Sequence, residues 1–117
     1  MDSTYSRYEI ELINILPATD DIYLSILVRN ISTWRTSGYI NSQGATTASI
    51  YCNEDTAGTN ISNAAANGGL SGNVFIFNPE SSSIKTQVMV SSMNYDTSAA
   101  AVIKNDLSGM YNTAETN

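Results

Sequence analysis

Chemistry in this chain must start from its acids, bases and nucleophiles, and the most useful of them is missing: the 117 residues include no histidine. Without an imidazole the usual general base near neutral pH is gone, and with it Ser-His-Asp and Cys-His catalysis within one chain. The single cysteine, Cys52, has no activating partner, no disulfide mate and too few companions for a zinc site. Next to Tyr51 in a strand-like stretch, it reads as a buried thiol. Carboxylates occur as the close pairs Glu9/Glu11, Asp20/Asp21 and Glu54/Asp55. Two carboxylates facing one cleft would hydrolyse a glycosidic bond, which keeps a carbohydrate-active enzyme among the readings. Each pair also has a simpler role. Glu9 and Glu11 share the polar face of one strand, and Asp20 and Asp21 sit where a turn favours Asp. Glu54 and Asp55 lie in a loop, where they would offer oxygens to a hard cation such as Ca²⁺, although EF-hand spacing is absent. The run Gly68-Gly69-Leu70-Ser71-Gly72 lacks the lysine and the following helix of a phosphate-binding loop. The sequence therefore predicts no catalytic residue, no metal site and no cofactor.

What remains is binding. Trp34, Tyr39 and Tyr51 are the largest amphipathic side chains outside the clearest strands. Aromatic faces beside short amides and hydroxyls make a sugar platform, stacking on one side and hydrogen bonding on the other. Asn53, Asn60 and Asn67 supply amides close by in sequence, so these six residues form the predicted contact set for a glycan or a neighbouring subunit. The competing reading of Trp34 is a plug at the end of the fold.

The composition fits a binding or assembly role. Only 14% of residues are charged, so Ser, Thr and Asn must supply much of the polar surface. Such a neutral, short-armed surface suits packed assemblies and sugar-facing contacts. Net charge is −6, and the five basic residues, Arg7, Arg29, Arg35, Lys85 and Lys104, are scattered along the chain. No basic stripe can neutralise phosphates, which argues against nucleic acid and against an anionic membrane surface. No apolar run approaches the roughly 20 residues of a membrane-spanning helix, and the first residues show no signal-peptide pattern.

The elements that would hold these residues are strands. Tyr8, Ile10 and Leu12 alternate with Arg7, Glu9 and Glu11, which predicts a half-buried strand over Tyr8–Leu16, stopped by Pro17. After the Pro17–Asp21 turn, Ile22–Asn30 alternates again, and the two runs predict a hairpin. Further strands are predicted around Gly38–Asn41, over Ala45–Cys52, over Leu70–Phe77, over Ile84–Ser92 and near Ala99–Ile103. Turns are expected at Asn78–Ser81, Asn105-Asp106 and Gly109. Asn53–Gly69, rich in Asn, Ala, Gly, Thr and Ser, reads as a long surface loop. The whole chain reads as a single all-β domain over 1–117, an antiparallel, jelly-roll-like β-sandwich of about seven or eight short strands. Its predicted core is Ile10, Leu12, Leu24, Ile26, Val28, Val74, Ile76, Val88 and Val90.

Two of these segments carry a resemblance. Tyr8-Glu9-Ile10-Glu11-Leu12-Ile13-Asn14-Ile15-Leu16-Pro17-Ala18-Thr19-Asp20 resembles the YEI-x-x-x-N-(I/V)-x-P-A-T-(D/N) strand and turn that opens a C-terminal β domain in tailed-bacteriophage virion proteins. Leu70-Ser71-Gly72-Asn73-Val74-Phe75-Ile76-Phe77-Asn78-Pro79 is similar to that family's G-x-(I/V)-x-(I/L)-(F/Y)-N-P strand and turn. The resemblance implies a virion location and a non-enzymatic structural role. The leading version is a tail-fibre or spike tip touching host surface glycan or a neighbouring subunit; the alternative is a capsid decoration protein stabilising the head lattice. It also implies other virion proteins as partners and a homo-oligomer, with a trimer favoured. Chains of this family continue past a stretch like Ser108–Asn117 into one or two more strands. The ending at Asn117 therefore implies either a shortened chain or a sheet completed by another polypeptide.

Overall fold

The structure is a computed structural model, and it describes residues 4–20, 22, 24–29, 33–41, 44, 46–47, 49–53, 61–97 and 99–114. The chain is all-β and antiparallel, as its alternation predicts. Among the described residues, eight strands run β1 (Arg7–Ile15), β2 (Ser25–Ile26), β3 (Tyr39–Asn41), β4 (Thr46–Thr47), β5 (Ile50–Tyr51), β6 (Leu70–Phe77), β7 (Gln87–Asp96) and β8 (Ala101–Tyr111). A six-stranded sheet has the order β1-β6-β7-β8-β3-β4, and β2 pairs with β5 in a separate two-stranded ladder.

Periodicity decides which way each strand of the large sheet faces. Along β7, Val88, Val90, Ser92, Asn94 and Asp96 are buried while Gln87, Met89, Ser91 and Met93 are exposed. On β6, Leu70, Val74 and Ile76 point to the same inner side. The core gathers on that inner face, where Val28, Ile50, Cys52 and Ile61 meet Leu70, Val74, Ile76, Val88, Val90, Tyr39 and Tyr111. The layer that covers it consists, among the described residues, of the β2–β5 ladder and the segments around it. At about 1.5–3 kcal/mol for each fully buried aliphatic side chain, this face supplies much of the drive to fold.

Several boundaries differ from the sequence expectation. The first two alternating segments are not a hairpin: β1 pairs with β6, in a register running from Arg7↔Phe77 to Leu12↔Gly72. Among the described residues of Ile22–Asn30, regular pairing is found at Ser25–Ile26, with single bridges from Ile22 to Ile61 and from Arg29 to Trp34. The strand predicted over Ile84–Ser92 begins at Gln87, because the Ser81 hydroxyl accepts the N–H groups of Ser83 and Ile84 and holds them in a turn. Asn105, Asp106 and Gly109 are not turns but lie within β8. Of the predicted core, Val28, Val74, Ile76, Val88 and Val90 are buried, Leu12, Leu24 and Ile26 are partly buried, and Ile10 is 41% exposed because β1 is the last strand of the sheet.

A bulge between Leu12 and Ile15 re-aims the end of β1. Asn14 takes the left-handed conformation there, φ 50°, and its N–H donates to the Ser71 hydroxyl at 2.9 Å. Within β6, Gly72 sits between Leu12 of β1 and Ser92 of β7, too close to β7 for a side chain: a Cβ would press on the Ser91 carbonyl oxygen and lie 2.5 Å from the Ser92 Cα. Gly72→Ala is therefore expected to destabilise the fold by about 1–3 kcal/mol through overpacking, read as a lower urea midpoint with an unchanged slope.

Candidate functional site

Among the described residues of the covering layer, side chains satisfy several backbone groups that the short ladder does not reach. The Tyr39 hydroxyl accepts the Val28 N–H at 2.7 Å and donates to the Arg35 carbonyl at 2.8 Å. The Arg35 N–H donates to the Val28 carbonyl at 3.0 Å. These three bonds tie Val28 to Arg35, and Arg29 bridges to Trp34 within the segment that the tie closes. Trp34 is thereby held at the surface, 56% exposed, with the Arg29 guanidinium 5.5 Å from its ring centroid. A cation stacked on one side of the indole orders the ring.

Beside Trp34 lies an apolar groove of about 280 Å³, lined by Ile10, Ile26, Leu27, Ile76 and Pro79 and edged by Arg29. A shallower hollow continues from it over Ser25, Ile26, Leu27 and Thr36. The arrangement is an exposed indole, an apolar floor, and hydroxyl and guanidinium groups at the rim. It can stack on the apolar face of a sugar ring, or take an apolar side chain from another protein, while the rim hydrogen-bonds the ligand's edge.

The six residues chosen from the sequence do not form one surface. Trp34 is at the groove. Tyr39 is fully buried, its ring 5.3 Å from that of Tyr111, so it is no ligand contact but the anchor of the Trp34 segment. Asn53 is also fully buried; its amide oxygen accepts the Leu24 N–H at 3.0 Å and fixes the approach to β2. Asn67 donates to the Ser62 hydroxyl at 2.9 Å within a short 3-10 turn, Ala65–Asn67, and lines a separate shallow hollow with Asn14 and Ser71. The backbone of Tyr51 lies in β5; its side chain, like Asn60, is outside the described residues. The Asn53 amide is thus used to satisfy a backbone N–H, and the Asn67 amide is held by a neighbouring hydroxyl.

Sequence reasoning missed the groove and a polar row in the core. Ser92, Asn94 and Asn105 are buried; the Asn105 amide donates to Asn94 at 2.9 Å and to Ser92 at 3.3 Å, and Ser92 donates to the Cys52 carbonyl. The alternation continuing from Val88 through Ser92 to Asp96 was the available signal. The groove left no local signal, because its walls come from segments far apart in sequence.

The described carboxylates do not line the groove. Glu9 and Glu11 are exposed on the outer face of the sheet, where Glu9 accepts from the Asn73 amide at 2.8 Å. Asp20 accepts the Asn63 N–H at 2.9 Å; Asp21, Glu54 and Asp55 lie outside the described residues. On the outer face Asp106 pairs with Lys104 at 3.0 Å, and the hydrogen bonds from Lys104 and Ser91 hold its carboxyl below the usual range. Among the described residues no group of three His, Cys, Asp or Glu side chains could hold a metal ion. Compared with family models, with curated proteins and with solved structures, the chain matches none.

Two outcomes follow from this geometry. Tyr39→Phe keeps the packed ring but strips the tie from Val28 and Arg35, so denaturant unfolding should show a loss of about 1–3 kcal/mol, with Trp34 fluorescence shifted toward that of a looser segment. Burial pushes the Cys52 thiol from its ordinary 9.0 up to about 12. Its contribution is therefore intact below pH 9 and is lost as pH rises toward 12, because the unfolded thiol ionises first. Stability measured across that window should fall less steeply for Cys52→Ala than for the parent.

Proposed function

We propose that this domain is a non-enzymatic structural and binding part of a tailed-bacteriophage particle, at a fibre or spike tip, whose Trp34 groove contacts host surface glycan or a neighbouring virion subunit. The observation that carries the binding reading is Trp34 itself: a large indole left mostly exposed, braced by Arg29, over an apolar groove with a polar rim. An aromatic so exposed and yet so well held is suited to stacking on a ligand. The virion assignment rests on the resemblance of its two motifs, and these form the adjacent strands β1 and β6, with the Asn78 N–H bonded to the Ser6 carbonyl at 2.8 Å. In this reading, copies of the chain associate with one another and with other virion proteins.

One observation favours the second reading, a capsid decoration protein. The outer face of the sheet carries apolar side chains on neighbouring strands: Phe75 and Phe77 on β6, Met89 and Met93 on β7, and Val102 and Met110 on β8. Such a patch suits a broad subunit contact.

Binding of the isolated domain to a panel of bacterial surface polysaccharides tests the leading reading. Trp34→Ala should weaken capture by roughly 30-fold, the equivalent of a 2 kcal/mol contact, while the thermal melting point stays within a few degrees. Undiminished capture by the variant would remove the groove from the reading. Release of shortened glycan would contradict the non-enzymatic assignment. Lattice copy number on the head, seen in particle images, would favour decoration instead.

A further inference from the structure

The two edges of the large sheet are unequal. At one end β4 has two residues, while at the other β1 has nine, and among the described residues the strand order stops there. The Ser6 carbonyl accepts from Asn78, so Ser6, Tyr8, Ile10 and Leu12 turn their backbone groups toward β6. By alternation, Arg7, Glu9 and Glu11 direct theirs away from the sheet. An edge of this length is a template for another strand.

The side chains on this edge select what can pair with it. Arg7, Glu9 and Glu11 are exposed on the outer face, and the first two are already ordered, with Arg7 5.7 Å from the Phe75 ring centroid and Glu9 bonded to Asn73. Consider a second β1 laid antiparallel on the first. Centred on Tyr8, the register sets Arg7 opposite the partner copy's Glu9 and Glu9 opposite the partner copy's Arg7. Centred on Glu9, it sets Glu9 against its own copy. Centred on Ile10, it sets Glu9 against Glu11 twice. Directly opposed unlike charges favour pairing and like charges oppose it. The Tyr8 register alone has two complementary pairs and no repulsive one. It also uses the outward backbone groups of Arg7 and Glu9 in both copies, and it sets Tyr8 across from Tyr8 at a non-hydrogen-bonded site, where side chains approach most closely. The bulge after Leu12 ends the pairing.

We propose that two copies of this chain associate through antiparallel pairing of β1 with β1, in the register centred on Tyr8, to form one continuous sheet. The pairing specifies the self-association contained in the functional reading above. It gives a two-fold dimer, unlike the trimer that the resemblance implies, and it does not depend on what the Trp34 groove binds.

Light scattering and sedimentation of the full chain give the mass; a dimer is expected. A monomer at every accessible concentration, or a trimer, would overturn the proposal. Arg7→Glu alone and Glu9→Arg alone should each raise the dissociation constant about tenfold, and the two combined should restore it. Restoration is specific to the Tyr8 register, because in the Glu9-centred register the double exchange still leaves like charges opposed. A dimer indifferent to these exchanges would refute the edge. Both side chains are exposed, so circular dichroism should show the fold unchanged. As a second approach, Tyr8→Cys should cross-link to itself under mild oxidation, whereas Ile10→Cys should not; the native Cys52 is buried and does not compete. Equal cross-linking at both positions would also refute the register. Loss of glycan binding with an intact dimer would count against the groove, and a monomer that still binds glycan would count against the edge.

Discussion

Every backbone N–H and C=O taken out of water in this fold must find a partner, and the described residues of the layer over the large sheet have little regular structure with which to provide them. Its only described ladder, β2–β5, has two residues on each side. Some of the groups outside it pair backbone to backbone, as Cys52 N–H does with the Leu24 carbonyl, and others are satisfied by buried side chains: Tyr39 for Val28 and Arg35, Asn53 for Leu24, Ser92 for the Cys52 carbonyl. Each of these residues packs a body into the core and spends its polar atom on a neighbour's backbone. This constraint explains why a chain with so few charges is rich in Asn and Ser, and why several of those residues are inside. It also explains the site: the tie at Tyr39 fixes where the chain leaves and re-enters the core, and Trp34 is exposed as a consequence.

The inner face of the sheet divides along β7. Toward one end Val88 and Val90 belong to the apolar core; toward the other, Ser92, Asn94 and Asp96 are buried, Asn105 bonds to the first two, and the Ser62 N–H donates to the Tyr95 carbonyl. A buried amide pair is tolerable only when its bonds are made, and in a low-dielectric interior those bonds resist sliding. A one-residue slip of β8 against β7 would part Asn105 from both Asn94 and Ser92. The polar row thus specifies register where smooth valine faces would not.

The strands that could be read from sequence are those whose alternation is carried by large apolar residues. Tyr8–Leu16 and Leu70–Phe77 fall within a residue of β1 and β6 for that reason. Ile84 was misleading because an apolar type does not reveal that Ser81 has captured its N–H in a turn. In β8, Asn105, Asp106 and Gly109 carry turn chemistry by composition, yet the sheet uses each one: Asn105 for the buried row, Asp106 for Lys104 and Ser91, and Gly109 because a Cβ there would lie 2.9 Å from the Ile40 carbonyl oxygen. The hairpin expectation failed on topology, since alternation says that a strand exists but not which strand it pairs with. Of the candidate site, Trp34 was legible as an amphipathic residue outside the strands. Tyr39 was chosen for the same reason and proved to be its support, because only the fold distinguishes an aromatic that meets solvent from one that holds another in place.

Edge and groove are linked by the orientation of β1. Ile10 lies on the inner face of the last strand and also forms part of the groove floor beside Trp34. A two-fold axis perpendicular to the sheet leaves inner faces on the same side, so joining two β1 strands would place both Trp34 grooves on one side of the enlarged sheet. A single aromatic stacking site gives modest affinity for a sugar. Two sites facing the same way on a rigid support can engage a repeating polysaccharide together, the second contact forming at the high effective concentration set by the first. Pairing through the sheet backbone also fixes the spacing of the sites more firmly than a flexible linker would, so the gain would be greatest for glycans whose repeat matches that spacing and lost for those that cannot bridge it.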